Sequence, residues 1–183
     1  MGKELERLIE ANRRYAEGGA LTGDVSAKRR EEHAGGQKPS AVVVTCSDSR
    51  VIPEAVFSAG LGELFVIRTA GNVIGESEFA SLEYALHHLK VEKVIVMGHT
   101  GCGAVNAALC GEFDGAVGVI TRRIKDAIGD ETDPGRACAL NVKSGVDTIR
   151  KAIGECGVRV MGAIYDIVSG KVEFIDRGTQ TGA

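Results

Sequence analysis

The sequence predicts an α/β domain: a mostly parallel central sheet of four to five strands, covered by helices. The first observation behind this prediction is the alternation of short β-branched runs with longer amphipathic segments along the chain. The second is that the short runs are continuously apolar, as expected for strands that are buried on both faces. The chain has 183 residues, of which 44% are hydrophobic. That size and composition suit a single domain with a sizeable core.

Five runs are predicted strands because they are too short and too rich in β-branched residues for helices. They cover residues 41–45, 64–67, 94–97, 159–167 and 171–175. The last two are expected to pair across a turn at Ser169 and Gly170. Helices are predicted in the intervening segments, over residues 53–58, 77–89, 103–109, 117–128 and 134–155.

Residues 1–36 are predicted to form an N-terminal helical arm ahead of an α/β core over residues 37–183. The first helix of the arm spans residues 4–17 and ends at a Gly-Gly pair. The second spans residues 24–33, with Asp24 as its N-cap. The apolar stripe of the first helix has no evident place in the chain's own core.

Charge and composition exclude several classes of function. The formal net charge is −3, from 22 basic and 25 acidic residues, which gives no electrostatic case for binding nucleic acid or an anionic membrane. No apolar run approaches the ~20 residues needed to span a bilayer. The charged start of the chain is unlike a signal peptide, so a cytoplasmic protein is expected. Five cysteines, an odd number, favour free thiols or metal ligands over a disulfide framework.

Chemistry-bearing residues follow two of the predicted strands at their carboxyl ends. Cys46 comes directly after the first strand, and His99 and Cys102 come after the third. Because ligands collect beyond the carboxyl ends of parallel strands, these side chains are expected to meet. Two thiolates and an imidazole suit zinc, and three protein ligands leave one position open for water. The remaining cysteines are interpreted as small buried hydrophobes: Cys110, Cys138 and Cys156.

A cysteine nucleophile is the competing interpretation of Cys46. Three residues separate Cys46 from Arg50, rather than the five of a phosphate-binding cysteine loop. The spacing therefore favours the metal site. Asp48 lies two residues before Arg50, and a carboxylate beside a guanidinium stays ionised and oriented.

The motifs C-S-D-S-R at residues 46–50 and G-H-T-G-C-G at residues 98–103 together resemble the β-class carbonic anhydrase family. The R-T-A-G-N segment after the second strand and the closing G-A-I-Y-D strand extend the resemblance over most of the chain. Gln37, Phe65 and Tyr84 are similar in position to pocket residues of the plant-type subgroup. Some bacterial members carry a Trp-Arg-Tyr site through which bicarbonate inhibits them. That site is not expected here, because the chain contains no Trp.

The resemblance implies zinc-dependent, reversible hydration of carbon dioxide to bicarbonate and a proton through a zinc-bound hydroxide. In the family, the pair matched by Asp48 and Arg50 accepts a hydrogen bond from that hydroxide and aims it at the substrate carbon. Gln37 would donate a hydrogen bond to the negative charge that grows on the substrate. Carbon dioxide suits an apolar wall, for which the candidates are Phe65, Tyr84 and Val51.

The resemblance also places Phe65 and Tyr84 at a pocket between two subunits, with the first helix lying over the partner subunit. A homodimer or a higher even-numbered oligomer is therefore expected. His88 is the candidate for exporting the proton, because an unperturbed imidazole has a pKa of ~6.5, near working pH. It lies four residues after Tyr84 and therefore on the same face of the predicted helix. His87 is rotated by about 100° on that helix and should point elsewhere.

Two other functions stay open at this point. A hydrolase of carbonyl sulfide or carbon disulfide would use the same scaffold as relatives that attack those linear molecules. A non-catalytic zinc-binding domain would need a fourth protein ligand, for which Asp48 is the candidate, since some family members rest with this Asp on zinc. Iron or cobalt could also occupy a site with these ligands.

Overall fold

The computed structural model describes residues 3–178, which form a five-stranded sheet with helices on both faces. The strands are β1 (Ala41–Thr45), β2 (Leu64–Arg68), β3 (Lys93–His99), β4 (Arg159–Tyr165) and β5 (Val172–Asp176). Their order across the sheet is β2-β1-β3-β4-β5. Strands β1 to β4 run parallel, while β5 is antiparallel to β4. The mostly parallel α/β sheet predicted from the sequence is confirmed.

The helices of the described region occupy the segments predicted for them, with ends that differ by a few residues. They are α1 (Lys3–Ala16), α2 (Ala27–His33), α3 (Pro53–Val56), α4 (Glu76–His87), α5 (Gly103–Cys110), α6 (Gly118–Ile128) and α7 (Pro134–Ile153). A short 3₁₀ turn covers Ala70–Asn72 after β2. None of the helices within residues 3–178 has the length and apolar character needed to cross a membrane.

Two element ends differ from prediction for local hydrogen-bonding reasons. The N-cap of α2 is Ser26, whose hydroxyl accepts from the backbone N–H of Arg29 at 3.2 Å. Asp24 instead accepts from the backbone N–H of Ser26 at 2.8 Å, so its carboxylate closes a turn ahead of the helix. Strand β4 stops at Tyr165, because the next residue, Asp166, turns the chain by accepting from the N–H of Ser169 at 2.7 Å.

Each face of the sheet buries its own apolar cluster. The even-numbered valines of β1 and β3 pack against α4 and α7. The odd-numbered apolar residues of the same strands pack against α1 and α3. Because side chains alternate across a strand, continuous apolar runs fill both layers at once.

Helix α1 packs on the core of its own chain, which corrects the prediction that its apolar stripe has no place there. Leu5 and Leu8 are 1% and 0% exposed and belong to the cluster beneath β1. Asn12 fixes the helix further, since its Nδ2 donates to the carbonyls of Val56 at 3.2 Å and Gly170 at 2.9 Å. Its Oδ1 accepts from the first N–H of β5 at 2.8 Å. These partners lie 44 to 160 residues away, which is why the sequence did not indicate them.

Helix α7 approaches the sheet at two glycines. A Cβ atom on Gly98 of β3 would lie 2.6 Å from Val142 Cγ2 and 3.0 Å from Cys138 Sγ. A Cβ atom on Gly162 of β4 would lie 3.1 Å from Val142 Cγ1. The missing side chains therefore allow the helix to lie close to the strands. As a result, α7 reaches the edge of the sheet where β1 and β3 end.

Candidate metal centre

The carboxyl ends of β1 and β3 bring three metal-binding side chains together. Cys46 follows β1, His99 is the last residue of β3, and Cys102 directly precedes α5. All three are buried, and their ligand atoms lie within 4.8 Å of one another. The two sulfur atoms are 4.0 Å apart, and both cysteines are free. The ligand set predicted from the sequence thus forms one cluster.

The protonation pattern of His99 fits a metal ligand. Its Nδ1 lies 3.0 Å from the carbonyl oxygen of Thr100, so Nδ1 carries the proton and donates it. Its Nε2 is fully buried and has no hydrogen-bond partner within residues 3–178. Leaving a buried polar atom unpaired costs about 1–3 kcal/mol. A cation at this position would occupy the free lone pair of Nε2 and remove that cost.

The two thiols also fit a soft cation. Cys46 Sγ accepts from the backbone N–H groups of Asp48 at 3.4 Å and Gly71 at 3.3 Å. The neighbouring Cys102 thiol and these N–H groups hold the pKa of Cys46 below its usual range, against the effect of burial. Cys46 and burial in turn raise the pKa of Cys102. Both sulfurs would bind a zinc ion as thiolates, so metal binding would displace the protons that they carry.

Asp48 and Arg50 form a two-pronged ion pair beside the cluster. Arg50 donates from Nε to Asp48 Oδ1 at 2.9 Å and from Nη2 to Oδ2 at 2.7 Å. The Arg50 side chain, helped by the Arg50 backbone N–H, holds the pKa of the Asp48 carboxyl well below its usual range. Asp48 Oδ2 lies 3.9 Å from His99 Nε2. An ionised carboxylate is therefore fixed at the edge of the cluster.

Arg68, which sequence reasoning did not single out, clamps the loop that carries Cys46 and Asp48. Its Nε donates to the carbonyl of Cys46 at 3.2 Å, and its Nη2 donates to the carbonyl of Asp48 at 2.7 Å. Arg68 ends β2, which pairs directly with β1. The signal for this role was present in the sequence: R-T-A-G-N is a third polar segment at the carboxyl end of a predicted strand.

The other cysteines divide into one buried and two exposed residues. Cys138 is buried as predicted, and its Sγ also donates to the carbonyl of His99 at 3.3 Å. The interpretation of Cys110 and Cys156 as buried hydrophobes is wrong, since both are exposed. Cys110 is the last residue of α5 and Cys156 lies in the turn after α7, so neither is on a helix face that meets the core.

The predicted aromatic pocket residues do not lie beside the metal-binding cluster of the same chain. Phe65 is paired with Val42 near the start of β2, whereas Arg68 reaches the cluster at the strand's end. Tyr84 on α4 lies against Phe65, with ring centroids 6.3 Å apart, and is 47% exposed. His88 stacks on Tyr84 at a centroid distance of 5.1 Å. The three rings form one partly exposed aromatic cluster on the side of α4 and β2.

Neither Gln37 nor Val51 lines an open pocket at the metal-binding cluster of its own chain. Gln37 precedes β1, at the opposite end of that strand from Cys46, and lines a surface hollow with His33 and Leu64. Val51 is fully buried in the apolar cluster beneath β1. Its side chain belongs to the core rather than to an open pocket wall.

A family model described as "Carbonic anhydrase" matches residues 41–172, which include every ligand of the cluster. The chain belongs to the carbonic anhydrase family. Solved structures show that the resemblance is to the β class. The Coccomyxa β-carbonic anhydrase in complex with acetazolamide superposes with a TM-score of 0.72 at 28% identity, covering 98% of this chain and 89% of that one.

Other relatives of this chain include bacterial and fungal carbonic anhydrases. Carbonic anhydrase 2 of Mycobacterium tuberculosis is 42% identical over 135 residues, which are 73% of this chain and 65% of that protein. The Pseudomonas aeruginosa carbonic anhydrase is 34% identical over 166 residues, covering 76% of this chain and 74% of that protein. A β-carbonic anhydrase of Sordaria macrospora, described as tetrameric, gives a TM-score of 0.70 at 28% identity and covers 97% of this chain and 100% of that one. The chain spans about two thirds of the length of the mycobacterial relative.

Proposed function

We propose that this chain is a plant-type β-carbonic anhydrase that reversibly hydrates carbon dioxide to bicarbonate and a proton. The observation that carries the proposal is the ionised Asp48–Arg50 pair beside a buried Cys-His-Cys ligand set. The plant-type assignment is supported by Gln37, Phe65 and Tyr84 at the pocket positions of that subgroup, and by a chain that contains no Trp.

Each residue of the site has a definable task in this reaction. When bound, zinc supplies a hydroxide nucleophile by lowering the pKa of water from ~15.7 toward ~7. Cys46, His99 and Cys102 would hold the ion. Asp48 would accept a hydrogen bond from that nucleophile, and because Arg50 engages both carboxylate oxygens, this acceptor is held in a fixed orientation. A fixed acceptor orients the nucleophile for attack on the substrate carbon.

The two thiolates set the expected pH dependence of activity. Cys46 and Cys102 together neutralise the two positive charges of a zinc ion, so the site is less electron-withdrawing than one made of neutral histidines. Water at such a site ionises less readily. We therefore expect the rate of carbon dioxide hydration to rise with pH.

The state of Asp48 favours catalysis over a closed structural site. A non-catalytic zinc domain needs a fourth protein ligand. Within residues 3–178, the cluster of potential ligands has three members, and Asp48 is bound by Arg50 through both oxygens. A zinc ion held by these three residues would therefore keep one position for water.

The substrate pocket is completed, in this proposal, by a second copy of the chain. Gln37 lies at the opposite end of β1 from Cys46, so it cannot act on the metal of its own chain. Across an interface, Gln37 could donate a hydrogen bond to the substrate oxygen, and Phe65 and Tyr84 could form the apolar wall. A homodimer, or a higher even-numbered oligomer, therefore provides the complete site. Since the described cysteines are free, we place the enzyme in the reducing cytoplasm.

His88 is the proposed exit for the proton that each hydration cycle releases. It is exposed, and it stacks on Tyr84 at 5.1 Å with the rings inclined by 28°. If Tyr84 borders the pocket, His88 connects that border to bulk water. An imidazole near neutral pH can take up the proton and pass it to buffer.

The decisive experiment is stopped-flow carbon dioxide hydration by the zinc-loaded protein, with carbonyl sulfide consumption measured in parallel. His99→Ala is the matched control, because it removes one of the three ligands. We expect rapid hydration by the native protein and none above background by the variant. Consumption of carbonyl sulfide without hydration of carbon dioxide would replace this proposal with the hydrolase.

A further inference from the structure

Helix α7 contacts the segment that follows β2 through a buried amide. Asn141 is 6% exposed, and its Nδ2 donates to the carbonyl oxygen of Gly71 at 2.8 Å. The two residues are 70 positions apart in the chain. A buried side-chain amide with a short bond to a distant backbone carbonyl fixes the position of that backbone.

Gly71 is also the residue whose N–H points at a metal ligand. That N–H donates to Cys46 Sγ at 3.3 Å. The other N–H on this sulfur, from Asp48 at 3.4 Å, comes from the ligand's own loop. Of these two hydrogen bonds, only the one from Gly71 comes from outside the loop of Cys46. Gly71 is in turn held by Asn141 of α7.

The backbone at Gly71 needs such support. Gly71 has φ +65° and the next residue, Asn72, has φ +48°, which places a non-glycine residue in the left-handed region. A Cβ atom on Gly71 would lie 2.7 Å from Ile124 Cδ1 and 3.0 Å from Ala104 Cβ, so a larger residue would have to displace these neighbours. A turn of this kind keeps its geometry when surrounding bonds hold it. The bond from Asn141 supplies that restraint on the carbonyl side of Gly71.

We infer that Asn141 is a positioning residue of the metal centre, holding the Gly71 N–H on the Cys46 sulfur and thereby tuning how that sulfur binds the metal. The inference rests on the zinc site proposed above, but not on the reaction. A hydrogen bond to a thiolate stabilises its lone pairs and fixes its direction. Partners of this kind, one bond removed from the metal, affect its affinity by about 10–100-fold.

The test compares Asn141→Leu with Ser144→Ala in protein loaded with Co²⁺, whose thiolate charge-transfer bands report on the sulfur ligands. Leu matches Asn in size, and a neighbouring cavity of about 250 Å³, lined by Asn141 and Ser144, gives it room. Ser144 lies one turn along α7 and lines the same cavity. It controls for the loss of a polar group at that place.

We expect Asn141→Leu to bind Co²⁺ up to about 10-fold more weakly in chelator competition, the lower end of that range, because the variant loosens the Gly71 N–H rather than removing it. We also expect its charge-transfer band to move to longer wavelength, because an unbonded thiolate gives up its electrons more easily. Ser144→Ala should match the native protein in both measurements. Thermal unfolding of each metal-free protein separates this effect from folding. A lower Tm with native affinity and native band position would show a merely structural Asn141 and overturn the inference.

A second substitution guards against a variant that does not fold. Asn141→Ala introduces no bulk into the core and has no side-chain group that could donate to Gly71. It should show the same loss of affinity and the same band shift, and if Asn141→Leu is unfolded it decides alone. The outcomes also separate the two proposals. If the native protein binds no Co²⁺ or zinc, the proposed function fails. If the native protein binds metal and the variants do so equally well, only the role of Asn141 fails.

Discussion

At the scale of single residues, the contact between Asp48 and Arg50 is the most informative one beside the ligands. The distances of 2.9 and 2.7 Å from Arg50 nitrogens to the two Asp48 oxygens describe a bidentate ion pair. Arg50 has a side chain that is 57% exposed, whereas Asp48 is only 17% exposed. The arginine therefore works through the carboxylate, which alone faces the cluster.

This geometry predicts strongly non-additive mutations. Asp48→Ala and Arg50→Ala should each keep zinc and lower kcat for hydration by about 100-fold or more, because both remove the oriented acceptor. The double variant should be little worse than either single one. Stopped-flow rates together with zinc analysis check this. Losses that multiply in the double variant would mean that Arg50 acts independently of Asp48.

A second prediction at this scale concerns His88. His88→Ala should lower kcat in dilute buffer and spare kcat/KM, because proton transfer to buffer follows the chemical step. Concentrated imidazole should restore the rate. The matched control is His87→Ala, an exposed neighbour on the same helix, which should leave kcat unchanged. Equal kcat values for native protein and His88→Ala in dilute buffer would exclude His88 as the exit.

The sequence predicted the ligands better than it predicted their supports. Cys46, His99 and Cys102 could be found because metal ligands have distinctive chemistry and follow strand ends. Gly71 and Asn141 could not, because one acts through its backbone and the other lies 70 residues away on a helix. Bonds of this kind arise only when the helix docks, so no local pattern records them.

At the scale of elements, the strands could be predicted and the docking of α1 could not. Continuous apolar runs fix where buried strands lie, and the antiparallel pairing of β4 and β5 followed from the turn between them. The apolar stripe on α1 did not indicate the surface of its own chain against which the helix packs. That packing surface is formed by β1, α3 and the β4–β5 turn, which meet only in the folded chain.

The packing of α1 predicts a large stability effect. Leu8→Ala removes a fully buried side chain and should lower the free energy of unfolding by about 3 kcal/mol. Leu21→Ala is the matched control, since Leu21 is 57% exposed, and it should change stability by less than ~0.5 kcal/mol. Denaturant unfolding measures both. Native stability in Leu8→Ala would mean that α1 is not part of the core.

The ion pair between α7 and β5 predicts that the free energy of unfolding depends on pH in the acidic range. Arg150 donates to both oxygens of Asp176, at 2.8 and 2.9 Å, and it lowers the pKa of that carboxyl. A carboxyl whose folded pKa is depressed stabilises the fold above its unfolded pKa of about 3.9. That stability is lost as the pH falls through the folded pKa.

The corresponding experiment is urea unfolding of the native protein and Asp176→Asn at pH values from neutral to strongly acidic. The native protein should be the more stable of the two near neutral pH, and the difference should shrink as the pH drops below about 4. The ion pair is partly exposed to solvent, so added salt should also reduce the difference. A difference that does not depend on pH would show that the charge of Asp176 contributes nothing.

At the scale of the whole molecule, Gln37 and the metal centre of one chain lie at opposite ends of β1. This separation predicts complementation between two inactive variants. Gln37→Ala leaves a metal centre without its donor, and His99→Ala leaves a donor without its metal. In a mixed dimer, one site combines the intact metal centre of the first chain with Gln37 of the second.

Co-refolding the two variants in equal amounts should therefore restore about a quarter of the native activity, since half the dimers are mixed and each has one complete site. The separate variants, and a mixture that has not exchanged subunits, are the controls. Zinc analysis should show full occupancy of Gln37→Ala, because all three ligands come from a single chain. No gain on mixing would place Gln37 outside the active site.

The close approach of α7 at Gly98 has a consequence for how this chain can change over evolutionary time. Adding one methyl group there would overpack the helix against the sheet, at a cost of about 1–3 kcal/mol. The displaced helix would carry Cys138 and Asn141 away from the two loops that they hold. A lineage could recover the lost stability elsewhere in the core, but not the position of the helix. Substitution of Gly98 is therefore limited by the geometry of the metal-binding loops rather than by the stability of the fold.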